Sequence, residues 1–176
     1  MLIVAVAAMA LAGCGGSSSS SSDSSSPETE ASKQFLNAKG KNKIAKFGEE
    51  ASVEEREAAS KVLEENMKAR AAGEWAKQCD LLAAKAIKSL EKAVEGLGIP
   101  STKGCFKNLS LEGEPKIETA KVRTNTMTGP IAALRVKGEL GYALYHGTEK
   151  KDYAMPMEKE GGEWKVARLA TIEIHD

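Results

Sequence analysis

The chain has 176 residues, of which 41% are apolar and 5% aromatic, enough for one globular domain with tails. Lys and Arg total 25, as do Asp and Glu; the first 32 residues hold only the acids Asp23, Glu28 and Glu30, so from residue 33 onward 25 bases face 22 acids, a net charge of +3. So weak a field, with no basic stripe interleaved with stacking rings, excludes nucleic acid as a partner.

Residues 2–12, LIVAVAAMALA, form an almost wholly apolar run, with no basic residue between it and Met1. A membrane-spanning helix needs about 20 such residues. The run has instead the length of a signal-peptide core, and small residues follow it. The stretch Leu11-Ala12-Gly13-Cys14 resembles the lipobox of bacterial lipoproteins: a leucine, two small residues, then cysteine. The resemblance implies that residues 1–13 are a signal peptide and that Cys14 becomes the new amino terminus. Its sulfur would carry a diacylglyceryl group, and palmitate or a similar acyl chain would complete the anchor. Two or three chains hold stably where a single one is marginal. On this reading Cys14 is an attachment point, and the protein sits on the extracytoplasmic face of the cell membrane. The alternative is an ordinary secretory signal with an incidental cysteine.

Residues 14–32 would then be the lipidated cysteine and its tether. Ser and Gly dominate 15–32, which cannot bury enough surface to offset the entropy of ordering. As a random coil this stretch is expected to span roughly 25 Å. Residues 33–51, KQFLNAKGKNKIAKFGEEA, are Lys-rich but carry Phe35, Leu36, Ile44 and Phe47 at intervals. They read either as a solvated basic linker near anionic headgroups or as an extension that lays apolar residues on the domain. Ile44–Glu50 favours the second reading. The domain proper is expected over 52–176.

Ser52-Val53-Glu54-Glu55 is a capping-box pattern, so a helix is predicted from Val53. Ala59, Val62, Leu63 and Met67 fall on one face of it, and Gly73 ends it. A second helix is predicted from Glu74 to about Ala83, with Trp75, Cys79 and Leu82 on one side. A third, Ala84 to Glu95, carries Ile87, Leu90 and Val94, with Gly96, Gly98 and Pro100 as its stop. A helical turn is predicted around Gly104–Leu109.

With Cys14 assigned to lipid, Cys79 and Cys105 remain as an even pair. An exported domain meets an oxidising compartment, which predicts a disulfide. Its loop of about 27 residues would add roughly 3–4 kcal/mol on the chain-entropy model. Two separate buried thiols are the alternative. His146 and His175 are the only histidines and no C-x-x-C pair exists, so no metal site is expected.

Beyond Pro115 the period changes to two. Lys121–Thr126 reads as a strand and Gly129-Pro130 as a turn. Ala132, Leu134 and Val136 alternate with Ala133, Arg135 and Lys137; Leu140, Tyr142 and Leu144 alternate with Gly141 and Ala143. His146–Glu149 reads as a hairpin turn. Tyr153, Met155 and Met157 share a face, and Gly161-Gly162 turns the chain again. Trp164 and Val166 then open a strand that is predicted to run to about Ile174. Helices followed by a meander give an α+β class, with N-terminal helices packed on one face of a curved antiparallel sheet.

The helical stretch "ARAAGEWAKQC" and the closing "EKEGGEWKVARL" resemble the nuclear transport factor 2-like superfamily (cystatin-like cone, SnoaL-like). The chain also looks like lipoproteins of high-GC Gram-positive bacteria, through "FGEEAS", "EREAASKVL", the Cys79/Cys105 pair, "GPIAALRVKGE", "YALYHGTEKKDYAMPM" and "GGEWKV". The resemblance covers about residues 40–172 and implies a conical α+β barrel with a pocket. The fold hosts isomerases, dehydratases, binding modules and accessory domains, so it decides no function by itself.

Enzymes of this kind pair an Asp or His base with a Tyr or Asp that stabilises an oxyanion. The candidates are Tyr142, Tyr145, His146, Asp152, Tyr153 and Arg168, with Asp80 on the second helix. Tyr142 and Tyr145 point to opposite faces of a regular strand. His146 and Asp152 belong to a solvated turn. Arg168 shares parity with Trp164 but is expected to be turned out by a bulge or to snorkel. No two converge, so no catalytic residue and no cofactor is expected. No phosphate loop or nucleophile elbow occurs. The leading expectation is a membrane-anchored binding or interaction module for a small apolar ligand or an envelope protein, as a monomer or homodimer. A pocket would be lined by Trp75, Tyr142, Met155, Trp164 and Arg168. The alternatives are a secreted isomerase- or dehydratase-like enzyme and a self-associating structural protein of the cell envelope.

Overall fold

A computed structural model of the chain describes residues 43–44, 46–96, 104–112 and 127–174. The elements run β1 (Glu49–Glu50), α1 (Val53–Ala72), α2 (Trp75–Asp80), α3 (Ala84–Gly96), α4 (Cys105–Glu112), β2 (Ala133–Lys137), β3 (Leu140–His146), a 3-10 turn (Thr148–Lys150), β4 (Asp152–Glu160), β5 (Glu163–Val166) and β6 (Ile172–Ile174). The class is α+β, with helices followed by a curved, open antiparallel sheet. The expected leader and tether, the helix stop expected at Gly98 and Pro100, the strand expected at Lys121–Thr126, and His175 all lie outside the described residues.

α1 starts and stops where its end residues dictate. Ser52 is the N-cap, and its hydroxyl accepts from the Glu55 N–H at 3.2 Å. Backbone hydrogen bonding, and then Ser52, hold the Glu54 carboxyl below its ordinary range. Gly73 closes the helix in the left-handed region at φ 69°, giving its N–H to Ala69 and Arg70. α2 is shorter than its periodicity predicts. The Leu81 carbonyl accepts from the Val166 N–H at 2.8 Å, and the Ala83 N–H donates to the Val166 carbonyl at 2.9 Å. Residues 81–83 therefore line the free edge of β5, and pairing there replaces another helical turn. No hydroxyl residue precedes α3, so Glu160 at the end of β4 accepts from the Ala84 N–H at 2.8 Å.

The sheet order is β1-β2-β3-β4-β5, with β6 also on β4. β5 pairs with Met157–Glu160 and β6 with Asp152–Ala154, so both lie along the same edge of β4. Pro156 falls in the gap between them. Its carbonyl accepts from Ala167 at 2.9 Å, so its absent N–H would have faced the same neighbour. The ladder cannot be completed there. The strand expected to continue to Ile174 breaks after Val166 and resumes at Ile172.

Register divides the sheet into two faces. Leu134, Ala143, Tyr145, Tyr153, Met155, Met157, Trp164 and Val166 face the helices and form one core with Ala59, Leu63, Leu90 and Val94. Gly141 belongs to this face because Trp164 lies over it: an added Cβ would sit 3.0 Å from the indole ring. The Ser60 hydroxyl, on α1, accepts from the Ile131 N–H at 3.1 Å and fixes the chain entering β2.

Two glycines with positive φ separate strain from crowding. Gly48 has φ 51°, and a Cβ there would lie 1.8 Å from the Val136 carbonyl oxygen; Gly138 has φ 61° and open space around it. Gly48→Ala is expected to lose more than about 2 kcal/mol, and Gly138→Ala about 1 kcal/mol. Urea unfolding of the two variants checks the difference.

Candidate functional site

The five residues expected to line one pocket do not share a face. Trp75 packs at the margin of the main core, and Met155 and Trp164 are buried inside it. Tyr142 is on the other side of the sheet, opposite Arg135 and Pro156 in register. The small residues Gly141 and Ala143 take the helix side of β3, because Trp164 occupies the space over Gly141. Arg168 is exposed in the irregular segment that follows β5, turned out where Pro156 interrupts the ladder. Asp80 is exposed at the end of α2.

The helix side holds a buried aromatic pair. Tyr145 and Tyr153 are opposite in register and stack with centroids 5.7 Å apart. Burial pushes the Tyr145 phenol well above the usual tyrosine range, a hydrogen bond with Thr171 opposes that, Tyr153 adds to it, and Arg70 pulls the other way. Arg70 also donates to the Leu169 carbonyl at 3.0 Å, so α1 and Tyr145 both hold the break between β5 and β6. In the same core, Asn66 Nδ2, Gln78 Oε1 and Trp164 Nε1 are buried without a hydrogen-bond partner among the described residues. Lys159 lies over the Trp164 ring, 4.9 Å from its centroid, and pairs with Glu55 at the start of α1.

The opposite face carries an acid–base contact between β3 and β4. His146 ends β3 and Asp152 begins β4, so the register sets them directly opposite. His146 Nδ1 lies 2.7 Å from Asp152 Oδ1, with the side chains 44% and 32% exposed. Sequence reasoning placed His146 in the turn and missed this pairing. Its signal was the five-residue connection 147–151, which puts positions 146 and 152 on one face of a hairpin. The carboxylate can orient the imidazole, but the pair is solvated and lies across the sheet from the buried tyrosines. Among the described residues no group of three or more His, Cys, Asp or Glu side chains could hold a metal ion.

This outer face also takes the N-terminal extension. Ile44 packs with Ala132, Ala133, Leu144 and Ala154, beside Tyr142, Ile172 and Ile174. The Phe47 ring meets Tyr142 edge-on at 4.9 Å. Arg135 donates to the Phe47 carbonyl at 3.0 Å and to the Gly48 carbonyl at 2.7 Å, and pairs with Glu50 at 3.4 Å. Of the two readings of the Lys-rich extension, the residues from Ile44 to Glu50 follow the one that lays apolar groups on the domain.

Cys79 on α2 and Cys105 on α4 form a disulfide across 26 positions of sequence, as the cysteine count predicted. No helix among the described residues is long and apolar enough to cross a membrane. No family model, curated protein or solved structure matches the chain.

Two measurements check this geometry. The Cys79→Ser, Cys105→Ser double variant is expected to lose about 3 kcal/mol in urea unfolding, and reductant should destabilise the parent but not the variant. Tyr145 keeps its proton in the folded chain at pH values where the unfolded chain releases it. Its contribution is therefore fully present below about pH 10 and falls as pH rises further. Tyr145→Phe should lose about 1 kcal/mol near neutrality and show a shallower alkaline fall in its urea midpoint than the parent.

Proposed function

We propose that the chain is an extracytoplasmic binding or interaction module, held at the membrane by lipid on Cys14. The location rests on the cysteine inventory. The disulfide uses Cys79 and Cys105, leaving Cys14 as the remaining thiol, directly after Leu11-Ala12-Gly13. A disulfide between helices is typical of proteins that work outside the reducing cytosol.

Binding is favoured over catalysis by what the core contains. Asn66, Gln78 and Trp164 are at most 4% exposed, yet each carries a polar atom without a partner. Leaving such a group unsatisfied costs about 1–3 kcal/mol. A small amphipathic molecule between helices and sheet would offset that cost, with Met155 and Trp164 against its apolar part. The inferred shape is the cone of the nuclear transport factor 2-like kind. Its support is that the helices cover one face of the sheet and that the break opposite Pro156 lets the sheet bend.

An enzyme acting through His146 is the second reading, and the 2.7 Å contact to Asp152 is the observation that favours it. Solvent around that pair weakens it, because acid–base groups act most strongly where water is excluded.

In a bacterial host that lipidates exported proteins, radiolabelled palmitate is expected on the parent and not on Cys14→Ser. That variant should leave the membrane fraction for the soluble one. An unlabelled parent that fractionates as soluble overturns the anchor. Native mass spectrometry of the purified chain tests binding: a retained molecule of constant mass supports it, and an empty chain that acquires none from host extract overturns it.

A further inference from the structure

We propose that the helix side of the sheet, where β5 ends, takes an uncharged ligand whose polar end both accepts and donates hydrogen bonds, as a carboxamide does. This rests on the binding reading above and adds to it the chemical class of the ligand.

Two buried side-chain amides meet this region. Asn66 on α1 is 4% exposed and Gln78 on α2 is 2% exposed. Neither Asn66 Nδ2 nor Gln78 Oε1 has a hydrogen-bond partner among the described residues. Their positions follow from contacts one turn further along each helix. Four residues after Asn66, and so on the same side of α1, Arg70 donates to the Leu169 carbonyl at 3.0 Å. Three residues after Gln78, the Leu81 carbonyl accepts from the Val166 N–H, and Leu82 bridges to Val166. Both amides therefore lie about one helical turn from the contacts with residues 166–169, where β5 ends. α1 packs on both α2 and β5, and the turn at Gly73 joins the two helices, with the Glu74 N–H donating to the Ala69 carbonyl at 2.8 Å. Two residues before Val166, on the same face of β5, Trp164 adds Nε1, which is also buried and unpartnered among the described residues.

These atoms specify the polar end of the ligand. Asn66 Nδ2 and Trp164 Nε1 donate, and Gln78 Oε1 accepts. An ionised carboxylate only accepts and an ammonium only donates, so each would leave one of these groups unmet. Either amide turned end for end still carries no charge. The buried polar side chains among the described residues are Ser60, Asn66, Gln78 and Asn108, none of them charged at neutral pH. Arg70, one turn from Asn66, is half-buried and engaged by the Leu169 carbonyl. An ion brought here would lose its hydration without a fully buried counter-charge. A carboxamide needs none: its oxygen accepts from Asn66 and its N–H donates to Gln78. Its apolar remainder would lie along Leu63 and Trp164, which belong to the same core.

Butyramide, butyrate and butylamine share a carbon chain and differ in charge, so together they test the class on the full chain. In amide correlation NMR spectra, the side-chain signals of Asn66 and Gln78 are expected to shift saturably with butyramide. Affinity for butyrate and for butylamine should be at least about tenfold weaker. Asn66→Leu and Gln78→Met remove the polar atoms at similar size. Each is expected to raise the urea midpoint of the ligand-free chain, because a buried amide without a partner is gone, and to weaken butyramide binding about tenfold, read from backbone signals. Absence of a saturable shift with butyramide overturns the proposal, as does an affinity for either ion equal to that for the amide. So does a lower urea midpoint in both variants, since the amides would then serve the fold through bound water. Native mass spectrometry keeps the two readings apart: a retained ion overturns the uncharged class and leaves the binding module standing.

Discussion

Seven consecutive residue pairs join β3 to β4, from Leu140 opposite Glu158 to His146 opposite Asp152, and each face assignment in the sheet follows from that ladder. It sets Tyr145 over Tyr153 and Ala143 over Met155 on the helix side. It sets Tyr142 over Pro156 and His146 over Asp152 on the other. A slip of one residue would turn one strand over against the other, parting Tyr145 from Tyr153 and His146 from Asp152 and moving one strand's apolar side chains to the outer face. Such a slip is disfavoured, because the buried tyrosine pair contributes area and stacking that separated rings would lose. Trp164 reinforces the choice, since only Gly141 leaves room for its ring.

The same ladder positions Pro156 where its missing N–H faces the last strand. The break that results gives the sheet its bend and releases residues 167–171 from the ladder. Arg70 and Tyr145 then hold that segment by the Leu169 carbonyl and Thr171. One residue without a donor therefore shapes the end of the sheet, and α1 stabilises what it shapes.

On the other face, Arg135 ties the incoming chain to the sheet through two carbonyls and Glu50. These groups are mostly shielded from solvent, so their attraction is less screened than that of a surface pair. The extension is thereby part of the fold from Ile44 onward.

Local chemistry was readable without the fold. Ser52 and Gly73 bound α1 because caps satisfy backbone groups within a few residues of themselves, and Gly161-Gly162 turns the chain for equally local reasons. The apolar alternation in β2–β5 and the pairing of Cys79 with Cys105 were also legible, the second from counting once Cys14 had been set aside. The faces were not. Alternation says that Tyr142 and Tyr145 point apart, but not which one meets the helices, because both are large enough to be core. The end of α2 was hidden because residues 81–83 satisfy their backbone groups on Val166, far away in sequence. The contact of His146 with Asp152 was hidden by an uncertain strand end, and a shift of one or two residues there decides whether two side chains face each other. By itself the sequence determined where backbone and side chains could be satisfied locally, and only the tertiary structure decided the faces, the broken strand and the acid–base pair, since each depends on a partner brought close by register rather than by chain order.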